Sequence, residues 1–339
     1  MKLGTLKDGT RDGQLLVVSR DLRHAASGVG VAPSLREALE NWAVAGPRLQ
    51  QLADQLEAGG APGRMELDVR RLAAPLPRAA QWLDASTFHS HSDLLDRVFK
   101  SDPVPDKRTV PMMYQGASDD FLGACDDVPL PSEADDIDFE AEVAVVVDDV
   151  DMGTDAAHAL GHVKLLMLVN DVSLRALVPR ELRTGYGFLQ AKPSSGFAPV
   201  AVTPDELGPD WDGARLNRPL LVELNGAPFG KAEAGIDMTF DFPTLIAHAA
   251  KTRNLRAGTI LGSGTVSNRG PDGGPGRPIA QGGVGYSCIA EQRMVETILE
   301  GQPRTPFLRA GDRVTIEMED RAGRSIFGAI DQTVAPPPR

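Results

Sequence analysis

Two glutamates, Glu140 and Glu142, stand near the start of a valine-rich stretch, DFEAEVAVVVDD, at residues 138–149. The stretch is typical of a β-strand, in which residues two apart point to the same face. Both faces of this strand carry apolar residues, so the two carboxylates lie side by side at the edge of a covered face. Buried like charges are costly unless a cation neutralises them. An exposed strand end, where water solvates both groups, is the alternative interpretation.

A third carboxylate, Asp171, interrupts the second strongly apolar run, LLMLVNDVSLR, at residues 165–175. Three carboxylates that emerge from apolar strands would form an oxygen-rich site, which suits a hard divalent cation. The pattern therefore indicates Mg²⁺ or Mn²⁺ before Zn²⁺.

Motifs of several other enzyme classes are missing from the sequence. The stretch GVGVAP, residues 28–33, lacks the third glycine of a dinucleotide fingerprint, and neither a Walker loop nor a GxSxG elbow occurs. Cys288, three residues before Glu291, is a candidate nucleophile, but the sequence suggests no basic group next to it. A small core residue is therefore the favoured interpretation of Cys288.

The composition argues against several functions. The chain has 339 residues, of which 42% are hydrophobic, and a formal net charge of −12. This charge disfavours nucleic acid and anionic membranes as partners, although a local site can still attract a small anion. The sequence contains no apolar run long enough to span a membrane and no signal-peptide core, and two cysteines cannot form a disulfide framework. We therefore expect a cytoplasmic protein.

Turn signals and hydrophobic spacing predict a small N-terminal unit. Residues 6–21 favour a hairpin, and Ser34 with Glu37 forms a capping box ahead of a helix. The Gly-Pro pair at 46–47 is predicted to end this helix, and the loop at 59–63 to close the unit. The rest of the chain is predicted to form short strands between loops with few helices, unlike a doubly wound α/β fold.

An ordered set of motifs resembles the fumarylacetoacetate hydrolase family. The motifs are DFEAEVAVVV, LVNDVSLR, FLQAKPSSGF, MTFDFPTLIAHAAKTRNLRAGTILGSGTVSNRG and GYSCIAE, and the similarity covers about residues 75–335. The resemblance implies an α+β, mainly β fold. It consists of a mixed β-roll catalytic domain, residues 76–335, and a small N-terminal α/β domain, residues 1–75. Bound Mg²⁺, with Mn²⁺ or Ca²⁺ as alternatives, and a homodimer are also implied.

The same resemblance assigns roles to individual residues of this chain. The implied metal ligands are Glu140, Glu142 and Asp171, the substrate-binding residues are Tyr114, Arg175 and Thr265, and the catalytic residues are His91, Glu291 and Lys192. His91 would activate water and Glu291 would orient it, with His89 as the alternative base. Thr87 is expected where the animal enzymes of the family have an aspartate as a fourth metal ligand, which leaves three protein carboxylates.

The implied activity is metal-dependent hydrolysis of the carbon–carbon bond of a small anionic β-diketo acid. Fumarylacetoacetate, an intermediate of tyrosine and homogentisate breakdown, is the first expected substrate, and fumarylpyruvate or another acylpyruvate is the second. The fold leaves two alternatives open: a decarboxylase, hydratase or isomerase of 2-oxo acids, and a non-catalytic metal-binding protein.

Overall fold

The computed structural model describes residues 1–99, 104–129 and 132–336. Within these residues the chain forms seventeen strands and seven α-helices. The strands are β1 Lys2–Leu6, β2 Gln14–Val18, β3 His24–Ser27, β4 Met65–Glu66, β5 Trp82–Ala85, β6 Met113–Gly116, β7 Ile137–Asp138, β8 Ala141–Val147, β9 Val163–Asn170, β10 Ser173–Leu174, β11 Gly196–Phe197, β12 Val200–Val202, β13 Pro219–Leu224, β14 Ala227–Glu233, β15 Thr259–Gly262, β16 Arg313–Glu317 and β17 Ile330–Thr333. The helices are α1 Leu35–Glu40, α2 Trp42–Glu57, α3 His89–Phe99, α4 Ala156–Ala159, α5 Val178–Thr184, α6 Phe242–Ala249 and α7 Ile289–Glu300.

The described strands form three sheets. The largest has eleven strands in the order β4-β3-β2-β1-β12-β9-β8-β15-β5-β6, with β11 paired to β9. A four-stranded sheet, β14-β13-β16-β17, and the pair β10-β7 accompany it. Most neighbours are antiparallel, and β15 runs parallel to β5. Sheets dominate and helices are few, which confirms the predicted fold class, α+β with mainly β structure.

The N-terminal strands continue the large sheet. β1 pairs antiparallel with β12, so that Lys2 is opposite Val202 and Gly4 is opposite Val200. Strands β2, β3 and β4 extend the sheet beyond β1. The division of the chain at residue 75 stays a prediction, because one sheet runs through both proposed parts.

The first N-terminal helix ends before the Gly-Pro pair that was predicted to end it, and a second helix contains that pair. Ser34 caps α1, as the capping box predicts. However, α2 begins at Trp42 and runs through Pro47, so the prediction that the helix ends there is wrong. A proline inside a helix removes one backbone hydrogen bond. Burial of the α2 face that carries Leu49 and Leu56 outweighs this local cost.

Four neighbouring strands, β9, β8, β15 and β5, bring separate chain segments to one end of the large sheet. β8 is buried along its whole length, as the apolar residues on both its faces predict. Because β8 and β9 are antiparallel, Glu140 before β8 lies next to Asp171 after β9, and the Asp171 backbone N–H donates to the Glu140 carbonyl at 2.9 Å. On the other side of β8, Gly262 at the end of β15 is the register partner of Asp84 in β5.

Helices α3 and α7 pack against each other through a small apolar core that includes Leu94 and Met294. The first turn of α3 carries His91, and the first turn of α7 carries Glu291. The helix pair therefore brings together two side chains that are two hundred residues apart in the sequence.

Across the described residues, none of the helices has the length and apolar character needed to cross a lipid bilayer.

Candidate functional site

Four buried carboxylates form one cluster at this end of the large sheet. The predicted metal ligands Glu140, Glu142 and Asp171 are joined by Asp84, and one oxygen of each residue lies within 4.8 Å of the others. All four residues are buried. The exposed strand end considered for the two glutamates is therefore wrong.

Asp84 corrects the expectation of three carboxylates. Thr87, expected in the place of a fourth ligand, donates its hydroxyl hydrogen to the Ser263 carbonyl at 2.6 Å. Asp84, three residues earlier, contributes the fourth carboxylate and accepts a hydrogen bond from the Gly264 backbone at 3.1 Å. An aspartate inside the apolar stretch WLDA was the available signal, but only the pairing of β5 with β15 shows that it belongs to the cluster.

Three observations indicate that the cluster is suited to bind a divalent cation. Both carboxylate oxygens of Glu142 are buried and have no hydrogen-bond partner within residues 1–99, 104–129 and 132–336, which is costly without a ligand. A Cβ at Gly262 would lie 2.4 Å from an Asp84 oxygen and 3.1 Å from a Glu142 oxygen, so glycine makes room for both groups. Among the residues that the structure describes, the four carboxylates also outnumber the two cationic side chains that contact them, Lys192 and Arg175. Hard oxygen ligands in this number suit Mg²⁺, Mn²⁺ or Ca²⁺.

Lys192 is held inside the carboxylate cluster. Its ammonium donates to Glu140 at 2.7 Å and to Asp171 at 2.6 Å. Asp171 also accepts from the Tyr114 hydroxyl at 2.6 Å and from the Ser195 hydroxyl at 2.8 Å. These contacts fix the side chain of Asp171. They also place one positive charge next to the carboxylate oxygens of two predicted metal ligands, Glu140 and Asp171.

The charges of the cluster follow from burial and from mutual repulsion. Burial, together with the nearby Asp171, raises the pKa of Asp84 to about 8. Burial and Asp84 raise the pKa of Glu142 well above its ordinary value. Burial alone would lower the pKa of Lys192, but Asp171 and Glu140 outweigh it and raise that pKa. The lysine is therefore charged, whereas Asp84 and Glu142 keep a proton to higher pH than free carboxyl groups do, and a bound cation would displace it.

His91 and Glu291 form a buried pair. Nδ1 of His91 is 3.0 Å from Oε2 of Glu291, and the Ser267 hydroxyl donates to Oε1 of Glu291 at 2.8 Å. A carboxylate bound to Nδ1 sets the tautomer and the orientation of an imidazole. The predicted base and its predicted partner are thus in contact. The alternative, His89, contacts Thr239 instead, with its Nδ1 3.1 Å from the threonine hydroxyl.

Arg175 is held by two carboxylates, of which the sequence prediction missed one. Its guanidinium lies 2.9 Å from Asp138 and 2.7 Å from Glu140. Asp138 also accepts from the backbone N–H groups of Ile289 and Ala290, at 2.8 and 2.9 Å, at the start of α7. Asp138 therefore connects the arginine of the cluster with the helix that carries the partner of the histidine. The sequence did offer a signal for Asp138, because this residue stands two positions before Glu140 and continues the spacing of two between Glu140 and Glu142.

The other two predicted substrate residues lie at different distances from the cluster. Tyr114, in β6, is in direct contact with it, and the Lys192 ammonium lies 5.4 Å from the centre of its ring. The ring of Phe188 packs edge-on against Tyr114 at 5.1 Å between centres. Thr265 is buried three residues after Gly262, and among the described residues no hydrogen bond joins it to the four carboxylates.

Known proteins share both the sequence pattern and the fold. The family described as "Fumarylacetoacetate (FAA) hydrolase C-terminal" matches residues 82–335, and "Fumarylacetoacetase N-terminal domain 2" matches residues 1–78. A 2,4-didehydro-3-deoxy-L-rhamnonate hydrolase of Sphingomonas sp. (strain SKA58) is 31% identical over 166 residues, which are 48% of this chain and 54% of the relative. A mitochondrial oxaloacetate tautomerase of Homo sapiens is 26% identical over 48% of this chain and 49% of the relative.

The match spans about half the length of each of these curated relatives. A crystal structure of maleylpyruvate hydrolase from Sphingobium sp. SYK-6, in complex with manganese(II) and pyruvate, covers 99% of both chains with a TM-score of 0.63 and 16% identity, which shows a common fold. The family match covers most of the chain, and the carboxylate cluster lies within it. The chain therefore belongs to the fumarylacetoacetate hydrolase family.

Proposed function

We propose that this protein hydrolyses the carbon–carbon bond of a small anionic β-diketo acid with the help of a divalent cation. The observation that carries the proposal is the His91–Glu291 pair, whose atoms are 3.0 Å apart and buried, close to the four-carboxylate cluster. An imidazole that a carboxylate holds in orientation can take the proton from the water that hydrolysis requires. The names of two of the three relatives described above, both hydrolases, support this choice.

The metal would be held by Asp84, Glu140, Glu142 and Asp171. When bound, a hard cation such as Mg²⁺, or Mn²⁺ or Ca²⁺ in its place, supplies a Lewis acid that polarises substrate oxygens. The manganese and pyruvate in the maleylpyruvate hydrolase structure support a cation together with a 2-oxo acid.

His91 supplies the base. Because Glu291 occupies Nδ1, the opposite nitrogen, Nε2, would take a proton from water as its oxygen attacks the acyl carbonyl carbon. The bond from that carbon to the neighbouring CH₂ group then breaks, and its electron pair remains on the leaving group as an enolate. The histidine returns its proton to the enolate carbon, which leaves a carboxylic acid and a 2-oxo or 3-oxo acid. Glu291 stabilises the imidazolium between the two proton transfers.

Lys192 and Arg175 supply positive charge where the enolate forms. Lys192 is a buried cation and Arg175 a partly buried one, both beside the cluster, and the carboxylates around Lys192 keep it charged. Preformed charge in a site that excludes water stabilises a developing anion more strongly than charge in solution does. We propose the same two cations, with Tyr114, as the contacts for the anionic substrate, and fumarylacetoacetate as the first substrate to test before fumarylpyruvate.

The test is loss of the diketone ultraviolet absorbance with fumarylacetoacetate, fumarylpyruvate and acetylpyruvate, each with Mg²⁺ and with EDTA. We expect metal-dependent loss with release of the matching carboxylic acid. His91→Asn is expected to reduce kcat by about 10²–10⁴, whereas the matched variant His89→Asn should retain most of it. An enzyme that binds Mg²⁺ but consumes none of the diketones, and instead interconverts the keto and enol forms of oxaloacetate, would contradict hydrolysis and favour a tautomerase.

The homodimer implied by the family stays a prediction. Light scattering of the purified protein, loaded with Mg²⁺, would measure its mass in solution against the 36.1 kDa of one chain.

A further inference from the structure

A second group of metal-binding side chains lies beside the carboxylate cluster. His91, Cys288 and Glu291 each offer one ligand atom, and the three atoms lie within 4.8 Å of one another. All three residues are buried. The proposed hydrolysis uses the histidine and the glutamate but leaves the thiol of Cys288 without a role.

These three ligands differ in chemistry from the four carboxylates. A cluster of oxygens alone suits hard cations, whereas imidazole nitrogen, thiolate sulfur and a carboxylate together suit Zn²⁺ or Cd²⁺. Three protein ligands with a fourth position left open is a common arrangement for zinc. The two groups therefore differ in the cations they prefer.

The geometry needs little adjustment for a tetrahedral ion. Zinc bonds of about 2.0–2.3 Å place ligand atoms about 3.3–3.8 Å apart. Nδ1 of His91 is 3.0 Å from Oε2 of Glu291, and one ligand atom of each of the three residues lies within 4.8 Å of the other two, so a shift of about 1 Å at most brings them to this spacing. Cys288 caps the start of α7, where its Sγ accepts from the Glu291 backbone N–H. Since helices α3 and α7 hold these residues, the ligands are already gathered before any ion arrives.

The thiol of Cys288 is inert without such an ion. Burial raises its pKa well above the ordinary value for cysteine, so the sulfur is protonated at neutral pH. A thiophilic cation can still displace that proton, because a coordinating thiol is deprotonated by the metal. This combination makes Cys288 a poor nucleophile but a competent ligand.

We propose that His91, Cys288 and Glu291 form a site for a soft divalent cation, Zn²⁺ or Cd²⁺, that inhibits the enzyme. On binding, the S–H bond of Cys288 breaks, a sulfur–metal bond forms, and the proton passes to solvent. Coordination through Nδ1 separates His91 from Glu291 and withdraws electron density from the ring, so Nε2 becomes a weaker base. The inhibitory effect rests on the proposed function, whereas the binding does not.

Binding is tested with CdCl₂ added to the full-length protein in excess Mg²⁺, which keeps the carboxylate cluster occupied. We expect one equivalent of Cd²⁺ to produce the ultraviolet charge-transfer band of a cadmium thiolate. Cys288→Ser should remove the band and weaken Cd²⁺ binding by at least about 100-fold, since loss of even an outer-shell partner costs 10–100-fold. Serine is a favoured N-cap, so this variant keeps the start of α7 intact.

Cys125→Ser is the matched control, because Cys125 is the other free cysteine of the chain. A band that survives in Cys288→Ser, or that disappears only in Cys125→Ser, overturns the site. Inhibition is measured as the ratio of turnover with and without ZnCl₂ within each variant, so different basal rates do not matter. If Cd²⁺ binds at Cys288 but neither cation slows diketone hydrolysis, the binding site stands, whereas the proposed inhibition and the assignment of His91 as the base both fail.

Discussion

Replacing Gly262 by alanine is expected to disrupt the carboxylate cluster without removing any of its ligands. The added Cβ would lie 2.4 Å from an oxygen of Asp84, 2.5 Å from the indole of Trp82 and 3.1 Å from an oxygen of Glu142. The two nearest neighbours, Asp84 and Trp82, cannot easily move away. Trp82 is fully buried, and β5, which carries Asp84, is paired on both sides, with β15 and β6.

The size of the effect follows from these distances. Ordinary contact begins near 3.4 Å, so the Asp84 oxygen at 2.4 Å must move by about 1 Å. A displacement of 1 Å in a preorganised site costs about 100-fold. We therefore expect the affinity for Mn²⁺ to fall about 100-fold, or about 2.8 kcal/mol at 1.4 kcal/mol for each factor of ten. Crowding in the core should also lower the stability of the metal-free protein by about 1–3 kcal/mol.

Manganese binding by calorimetry or by electron paramagnetic resonance measures the affinity, and urea unfolding in EDTA measures the stability. Gly161→Ala is the matched control, because a Cβ at Gly161 meets no atom within 4 Å among the described residues. It should leave both quantities unchanged. If Gly262→Ala binds Mn²⁺ as tightly as the parent protein, the four carboxylates are not the metal site, and the reasoning is refuted.

Three other results are expected. Lys192→Ala should lower kcat about 10²–10³-fold, because it removes a charge next to the developing enolate; unchanged turnover would show that the lysine is not part of the mechanism. Asp138→Asn should destabilise the protein by about 1–3 kcal/mol, since it removes one of the two carboxylates that hold Arg175 and weakens an acceptor for α7; a loss below about 0.5 kcal/mol in urea unfolding would contradict this. Mg²⁺ binding at pH 7 should release at least about one proton, because burial raises the pKa of Asp84 to about 8 and raises that of Glu142 as well in the absence of metal. Affinity should therefore rise with pH through the neutral range, and calorimetry in buffers of different ionisation enthalpy would detect the released protons, whereas an identical heat in every buffer would exclude them.

The sequence by itself determined the local features that depend on a few neighbouring residues. Alternation within DFEAEVAVVV predicts a strand covered on both faces, and β8 is buried throughout. The carboxylates Glu140, Glu142 and Asp171 stand out because they interrupt apolar runs, and burial of each side chain agrees with that pattern. The ordered motifs also indicated the family, because each motif combines a strand or a helix start with a polar residue that local packing alone does not require.

Only the tertiary structure decided which distant residues meet. Asp84 becomes the fourth carboxylate because β5 pairs in parallel with β15, which places Asp84 opposite Gly262 although the two are far apart in the sequence. Asp138 joins Arg175 to the start of α7 for the same kind of reason. Helix α2 passes through Pro47 because its buried face outweighs a lost backbone hydrogen bond. Local helix preferences amount to less than about 1 kcal/mol for most residues and about 3 kcal/mol for proline. Long-range packing sums over many contacts, so strand pairing and burial decide the structure where the two conflict.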